Sequence, residues 1–297
     1  MTTTSIDGHH GHDGFTGHLL RENAELSLPH LETRVTGAPL YRAVTPEGLL
    51  VLTLRGEQLP ASYLDLVHTF RLTQYLHRGW VDAVAVSDRR LRHEPYDGQS
   101  LRDFHTLVTE PDTGRLRGYG TLALSPDPDG TSLSDPVHKP FVVERDYGIR
   151  LAAHLGPSTL SSAVGEGKRL VRDWAMPRSQ AAASVPWWVY LAWAHACLAV
   201  LEHPGGAIVG DGKKTGAIHQ LGLLGFRTRV LDATTPLPPG PGDLFAPMWG
   251  QHERSYPFLL TDSARLRPTL EFLTSVLMSG RTGSVRAQLT EFLETDA

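Results

Sequence analysis

The stretch Ser161–Val171 reads SSAVGEGKRLV and combines the composition of a strand with several charges. Its apolar, β-prone residues predict a strand, yet a glutamate, a lysine and an arginine fall within four of its positions. On a strand, Glu166 and Lys168 face one way, whereas the two neighbouring glycines and Arg169 face the other. Buried charge is unfavourable unless it is paired. Two interpretations remain: an edge strand with one face in water, or a charged face that lines a cleft, with Glu166 paired to an arginine.

Length and composition are those of a globular protein with one large domain or two small ones. The chain has 297 residues, of which 40% are hydrophobic and 20% charged, and its formal net charge of -4 gives no basic field for nucleic acid. Cys197 is the only cysteine, so an intrachain disulfide and a Cys-rich metal site are excluded. We therefore expect a cytoplasmic protein without a metal. The excess of arginine over lysine is typical of high-GC bacterial genomes.

Three regions follow from the distribution of residue types. We predict a flexible, His- and Gly-rich tail over residues 1–35, an α/β domain over 36–235, and a proline-rich connection with a helical extension over 236–297. The start of the chain is polar and does not resemble a signal peptide. The apolar stretch VPWWVYLAWAHACLAVLEH is too short for a membrane span and carries His195, so we predict a core helix and no membrane partner.

The order of the predicted elements favours a mixed α/β sheet with helices on both faces. A strand over Gly48–Gly56 precedes a helix that begins at Pro60, and FHTLVTEPDTGRLRGYGTLAL predicts a hairpin. The charged strand, the Trp-rich helix and a further strand, helix and strand follow. GDGKKTG, after the later strand, lacks the glycine spacing of a phosphate loop, which leaves a tight turn or a backbone anion site.

The charged strand VGEGKRLV resembles the Glu-x-Ser-Arg-Phe strand of the acyl-homoserine-lactone (autoinducer) synthases, members of the Gcn5-related N-acyltransferase superfamily. LVHTFRLTQYLHRGW is similar to the early helix of that family, HEPYDGQS to the acidic loop that follows, and GAIVGDGKKTGAIHQLGLLGFRT to a later strand, helix and Gly-Phe turn. The similar segments keep their order over roughly residues 63–231. The resemblance implies a mostly antiparallel central sheet, to which the C-terminal helices are added.

The sequence departs from the family pattern at several positions. Thr121 stands where the family has a hairpin arginine, and Lys168 where it has a serine. Leu221 stands where the wider superfamily often has a tyrosine, and MPRSQAAASVP matches the pyrophosphate loop poorly. Thr121 argues against S-adenosylmethionine as the acceptor. The weak loop and the lost tyrosine favour the alternative of a non-catalytic protein.

The resemblance also implies a set of site residues. Glu166 would act as a general base, Arg169 would orient Glu166 or bind an acceptor carboxylate, and Asp97 would hold a cationic group. Each has a structural alternative: Arg71 on a helix surface, Trp80 in the core, and Asp97 in a turn. The predicted catalytic residues are Glu166 and Arg169, and the predicted substrate-binding residues are Arg71, Trp80, Asp97, Tyr119 and Lys168.

The function that the resemblance implies is acyl transfer from an acyl-CoA or acyl-carrier-protein thioester to a small-molecule amine, in bacterial secondary metabolism or signal synthesis. Two adjacent strands would separate, and the thioester would enter the gap between them. The acyl carrier protein is then a possible partner. The alternative is a non-catalytic ligand-binding or accessory protein on the same scaffold. The two differ in whether Glu166 faces an open cleft or is sealed beneath the C-terminal helices.

Overall fold

A computed structural model describes residues 14–95, 101–231, 237, 240, 242–250, 255–280 and 284–295, with the side chain of Arg169 excluded. Over these residues one sheet of eight strands runs in the order β1-β2-β3-β4-β5-β6-β8-β7. The strands are β1 (Tyr41–Val44), β2 (Leu50–Arg55), β3 (Phe104–Thr109), β4 (Leu116–Leu124), β5 (Val164–Arg172), β6 (Ala207–Lys213), β7 (Arg227–Val230) and β8 (Ser255–Thr261).

Helices cover both faces of this sheet. The long ones are α3, which continues to a left-handed Gly79, and α7, which is capped by the Ser179 hydroxyl. The helices are α1 (Phe15–Glu22), α2 (Leu31–Arg34), α3 (Ala61–Arg78), α4 (Ala83–Asp88), α5 (Val142–Tyr147), α6 (Ala152–Leu155), α7 (Gln180–Leu201), α8 (His219–Leu223), α9 (Ala246–Trp249), α10 (Leu266–Met278) and α11 (Val285–Thr295).

The strand directions confirm the predicted fold class. β1 to β5 form an antiparallel meander, β5 pairs in parallel with β6, and β8 is antiparallel to both β6 and β7. A parallel pair needs a crossover connection, and α7 supplies it between β5 and β6. The sheet is therefore mixed and mostly antiparallel.

The crossover helix α7 forms the core of one face of the sheet. It is long and apolar enough to cross a membrane, but most of its residues are buried against the strands, as expected of a core helix. It lies very close to the sheet because the strands present glycines to it. A Cβ at Gly118 of β4 would lie 2.7 Å from Val185 Cγ1, and one at Gly120 would lie 3.1 Å from Val189 Cγ1. Glycines at these positions leave room for the helix.

The opposite face carries α1, α3, α4 and α5, and it corrects the predicted N-terminal tail. Residues 1–13 lie outside the described part of the chain, but Phe15–Glu22 and Leu31–Arg34 are helical. Leu19, Leu28 and Leu31 of this region are buried in the cluster beneath α3. The tail prediction is therefore wrong for residues 14–35, because the leucines of this region bury their apolar surface against distant parts of the chain, which a local pattern does not reveal.

The C-terminal region also differs from the predicted helical extension. Its helices α10 and α11 pack beside α7 and α8 as expected, but Ser255–Thr261 forms β8 within the sheet. Placed between β6 and β7, β8 gives both strands a partner, so neither presents an unpaired edge at this position. Residues after 235 therefore complete the sheet.

The fit of α7 on the glycines of β4 gives a stability test. We expect Gly118→Ala to lower the free energy of unfolding by about 1–3 kcal/mol in urea denaturation, because its Cβ would overlap Val185. Gly222→Ala is the control, since a Cβ there meets no atom within 4 Å. The control should be neutral or stabilising by up to about 1 kcal/mol. Equal stability of the two variants would contradict this packing.

Candidate functional site

The candidate site begins where β5 and β6 separate. Three registered pairs join them, from Val164 opposite Ala207 to Glu166 opposite Val209. Beyond that point β5 continues to Arg172 beside β4, and β6 continues to Lys213 beside β8. The two strands therefore form a fork, as the resemblance implies.

One face of the fork is closed by aromatic side chains. A Cβ at Gly167 of β5 would lie 2.7 Å from Trp193 Cζ2, and a Cβ at Gly210 of β6 would lie 2.9 Å from Phe258 Cζ. Trp193 is fixed by a 3.0 Å hydrogen bond from its Nε1 to the carbonyl oxygen of Thr121. Because these rings occupy the α7 face, the fork opens on the face that carries α5.

A cleft of about 520 Å³ lies on that open face. Its walls come from β5 and β6 at the fork, from α5, from the α3 side at Arg71 and Glu94, and from the described residues between 240 and 249. Glu166 lies in this cleft and is not sealed beneath α10 or α11. An open cleft at Glu166 is what the sequence predicts for an acyltransferase, whereas a non-catalytic protein would have Glu166 sealed beneath the C-terminal helices.

Glu166 holds the parts of the cleft together. Only 3% of the surface of Glu166 is exposed, so the charge of its carboxylate needs partners within the protein. Oε1 accepts a hydrogen bond from the Val143 N–H at 2.7 Å, and Oε2 accepts one from the Val142 N–H at 3.2 Å. Lys168 Nζ lies 3.0 Å from Oε2. These two N–H groups belong to the first turn of α5, so one side chain joins β5 to that helix.

Lys168 is the cation that the structure places beside Glu166, where one of the two interpretations of the sequence placed an arginine. In the strand register it lies directly opposite Thr121, the position where the resemblance implies an arginine. The side chain of Lys168 is 15% exposed and lines both the cleft and an adjoining cavity of about 210 Å³. The ammonium group is therefore paired and still accessible to a ligand.

Arg71 forms a second buried ion pair at the edge of the cleft. Its Nε lies 2.8 Å from Glu94 Oε2, and both side chains are almost fully buried. Its Nη1 lies 3.2 Å from His68 Nδ1, and the guanidinium lies 5.8 Å from the centre of the Tyr119 ring. This burial excludes the alternative of a residue on the exposed surface of α3.

Tyr119 lies behind the cleft wall in a polar network. Its hydroxyl contacts His105 Nδ1 at 2.8 Å and accepts a hydrogen bond from the Thr121 hydroxyl. Burial raises the pKa of Tyr119 to about 12, and burial together with the charge of Arg71 lowers the pKa of His105 to about 3. Both groups are thus neutral at physiological pH, and Tyr119 faces the network rather than the cavity.

Of the remaining predicted residues, only the Trp80 side chain can be placed, and it lies outside the cleft. Trp80 packs on Tyr75, with ring centres 5.7 Å apart, and lies under the guanidinium of Arg78 in the cluster beneath α3. Asp97 lies outside the described residues. The backbone of Arg169 is in β5, but its side chain is outside the described part of the structure.

Several cleft residues were missed because they follow the proline-rich break. Asp243, Phe245, Met248 and Trp249 all line the cleft. The segment is held on both sides: the Asp82 N–H donates to the Leu244 carbonyl at 2.9 Å, and the Trp249 ring meets the Tyr147 ring edge-on at 6.1 Å. The apolar residues of DLFAPMW were the only sequence signal that this segment packs on the domain.

Asp146 of α5 was also missed, although it lines the same cleft. Burial raises its pKa, and the nearby charges of Glu166 and Asp243 raise it further, whereas Arg145 lowers it through a hydrogen bond of 3.1 Å. Within the described ranges no group of three or more His, Cys, Asp or Glu side chains is arranged to hold a metal ion.

Comparison with known proteins gives similarity in structure only. No protein-family model and no curated protein matches the chain. The acyl-homoserine-lactone synthase LasI is 17% identical with a TM-score of 0.48, over 75% of this chain and 94% of LasI. The CoA-dependent acyl-homoserine lactone synthase BjaI, solved with S-adenosylmethionine and isopentyl-CoA, is 13% identical with a TM-score of 0.46, over 82% of this chain and 99% of BjaI.

A third similar structure is an acyl-CoA N-acyltransferase from Pseudomonas aeruginosa, 12% identical with a TM-score of 0.36, over 71% of this chain and 99% of that one. Over these spans the chain shares the overall fold of the three proteins named. The similarity concerns the fold alone.

The buried pair of Arg71 and Glu94 can be tested against an exposed one. Arg71→Ala leaves Glu94 as an uncompensated buried charge, and we expect the free energy of unfolding to fall by about 3–5 kcal/mol. Arg42→Ala is the matched control, because Arg42 pairs with Glu32 at 2.8 Å on the surface. Its loss should be at most about 1 kcal/mol. Urea denaturation measures both, and similar losses would contradict the buried arrangement.

Proposed function

We propose that this protein is an N-acyltransferase, which moves an acyl group from a coenzyme A or acyl-carrier-protein thioester to a small-molecule amine. The observation that supports the proposal is the fork of β5 and β6, which opens beyond the Glu166–Val209 pair onto a cleft containing the Glu166–Lys168 pair. Its proposed setting is the cytoplasm of a bacterium, in secondary metabolism or signal synthesis.

The fork suits an extended thioester arm. A chain lying along the edge of β5 beyond Glu166 would meet backbone groups that no longer pair with β6, as a peptide does when it adds to an exposed strand. Backbone N–H groups directed at the thioester carbonyl would stabilise the negative charge that develops on its oxygen during attack. Gly167 and Gly210 leave room for the Trp193 and Phe258 rings on the α7 face, so the arm would enter from the face that carries α5.

The charged residues would then orient the reactants. Lys168 would attract the developing oxyanion or a carboxylate of the acceptor, and Glu166 would hold Lys168 and the first turn of α5 in place. Arg71 would fix the wall on the α3 side through Glu94. Roles for Arg169 and Asp97 remain predictions from the resemblance.

The test of this function is turnover with a panel of reactants. Purified protein is mixed with acyl-CoA thioesters of two to twelve carbons and with amines that include amino acids, diamines and S-adenosylmethionine. Free thiol release and native mass spectrometry follow loss of the acyl group. We expect amine-dependent thiol release for at least one pair. Binding without turnover across the panel would favour the non-catalytic alternative. The absence of both binding and turnover would count against the acyltransferase and against the non-catalytic alternative.

Glu166→Gln provides the first mutational test. The amide has no charge for Lys168 and has one acceptor oxygen where the carboxylate has two, so α5 and Lys168 should shift. We expect kcat/KM to fall about tenfold to a hundredfold, with the circular dichroism spectrum unchanged. Glu47→Gln, in the exposed turn between β1 and β2, is the control and should keep full activity. Unchanged rates would remove Glu166 from the site.

A further inference from the structure

The structure separates the residue that organises the cleft from the residue that is free to accept a proton. Glu166 accepts hydrogen bonds from two backbone N–H groups and is paired with the Lys168 ammonium, so both of its oxygens are occupied. A carboxylate has about four acceptor directions, and three of them are in use here. Because each of these contacts holds α5 or Lys168 in place, the geometry of Glu166 is that of a positioning residue.

Asp146 is placed differently on the same helix. It lies one turn after Val142, whose N–H donates a hydrogen bond to Glu166. Val142 and Asp146 therefore share the face of α5 that lines the cleft. Oδ1 of Asp146 accepts a hydrogen bond from Arg145 Nε at 3.1 Å. Within the described part of the chain, no group donates a hydrogen bond to Oδ2. The carboxylate thus has one held oxygen and one available oxygen beside the cavity.

The charges around Asp146 favour proton uptake. Burial raises the pKa of Asp146 above the ordinary value for aspartate. Arg145 on the same helix lowers this pKa, whereas the charges of Glu166 on β5 and Asp243 in the 242–250 segment raise it. A carboxylate whose pKa is raised is a stronger base near neutral pH. The other charged or titratable side chains that line the cleft are Arg71, Arg89, Glu94, Tyr147, Lys168 and Asp211.

We propose that Asp146 is the general base of the acyl transfer proposed above, on which this assignment rests, and that Glu166 is a positioning residue. Asp146 Oδ2 takes a proton from the acceptor's ammonium group and so frees the nitrogen lone pair. The nitrogen forms a bond to the thioester carbonyl carbon, giving a tetrahedral oxyanion.

The oxyanion then collapses and the C–S bond breaks. The sulfur leaves with the bonding electrons and takes the second nitrogen proton, which gives an amide and a free thiol. Asp146 releases its proton to water, and the cycle is complete. An acceptor that is already neutral needs no such base, so hydroxylamine should bypass Asp146 where an alkylamine cannot.

The experiment compares Asp146→Asn, Asp146→Glu and Glu166→Gln with the wild type, using an active acyl-CoA and alkylamine pair from the panel and then hydroxylamine. We expect Asp146→Asn to lower kcat/KM for the alkylamine by about a hundredfold or more at pH 7. In the wild type the rate should fall as pH drops through the raised pKa of Asp146, because only the deprotonated carboxylate accepts a proton.

The pH profile separates a base from a structural residue. The acidic limb should disappear in Asp146→Asn and persist in Asp146→Glu and in the slower Glu166→Gln. Hydroxylamine should restore near wild-type turnover to Asp146→Asn but not to Glu166→Gln. Asp112→Asn, in the exposed hairpin turn between β3 and β4, is the control and should resemble the wild type.

The outcomes distinguish this assignment from the function on which it rests. An active wild type whose rate and acidic limb survive in Asp146→Asn would overturn the role of Asp146 and leave acyl transfer standing. Loss of the acidic limb in Glu166→Gln, with retention in Asp146→Asn, would return the role of base to Glu166. A wild type inactive with every pair would overturn both proposals.

Discussion

The hydrogen-bonded burial of one carboxylate is the interaction on which the site depends. Glu166 is almost fully buried, and a charge in that position is tolerated only because two N–H groups of α5 and the Lys168 ammonium surround it. The same contacts fix the first turn of α5 against β5, just where β5 leaves β6. The position of α5, the position of the cation and the shape of the cleft are therefore set together.

The fold and the fork depend on the same glycines. Gly118, Gly120 and Gly167 allow α7 to lie directly on β4 and β5, and Trp193 fills the space above Gly167. Phe258 does the same at Gly210 of β6. With one face of the sheet filled by rings, the separation of the strands produces a cleft only on the other face, where the charged side chains project.

The sequence predicted the features that depend on local pattern and left open those that depend on distant parts of the chain. Alternation identified the charged strand, and composition identified α7 as a core helix. The backbone partners of Glu166 could not be read locally, because Val142 and Val143 are more than twenty residues away. Its cation, Lys168, lies only two positions along the same strand face, where alternation alone places it. Nor could the insertion of β8 between β6 and β7, or the packing of Asp243 and Trp249 over the cleft, be foreseen, since each depends on contacts with residues distant in the sequence.

A crystal structure with an acyl-CoA analogue, in which a non-reactive thioether ketone replaces the thioester, would show whether the fork of β5 and β6 holds the thioester. The carbonyl should lie on the open face of the fork, beyond the Glu166–Val209 pair, with the acyl group in the cleft beside Lys168 and the Glu166 contacts to α5 intact. An uninterrupted ladder between β5 and β6, or a ligand bound away from the fork, would contradict this placement.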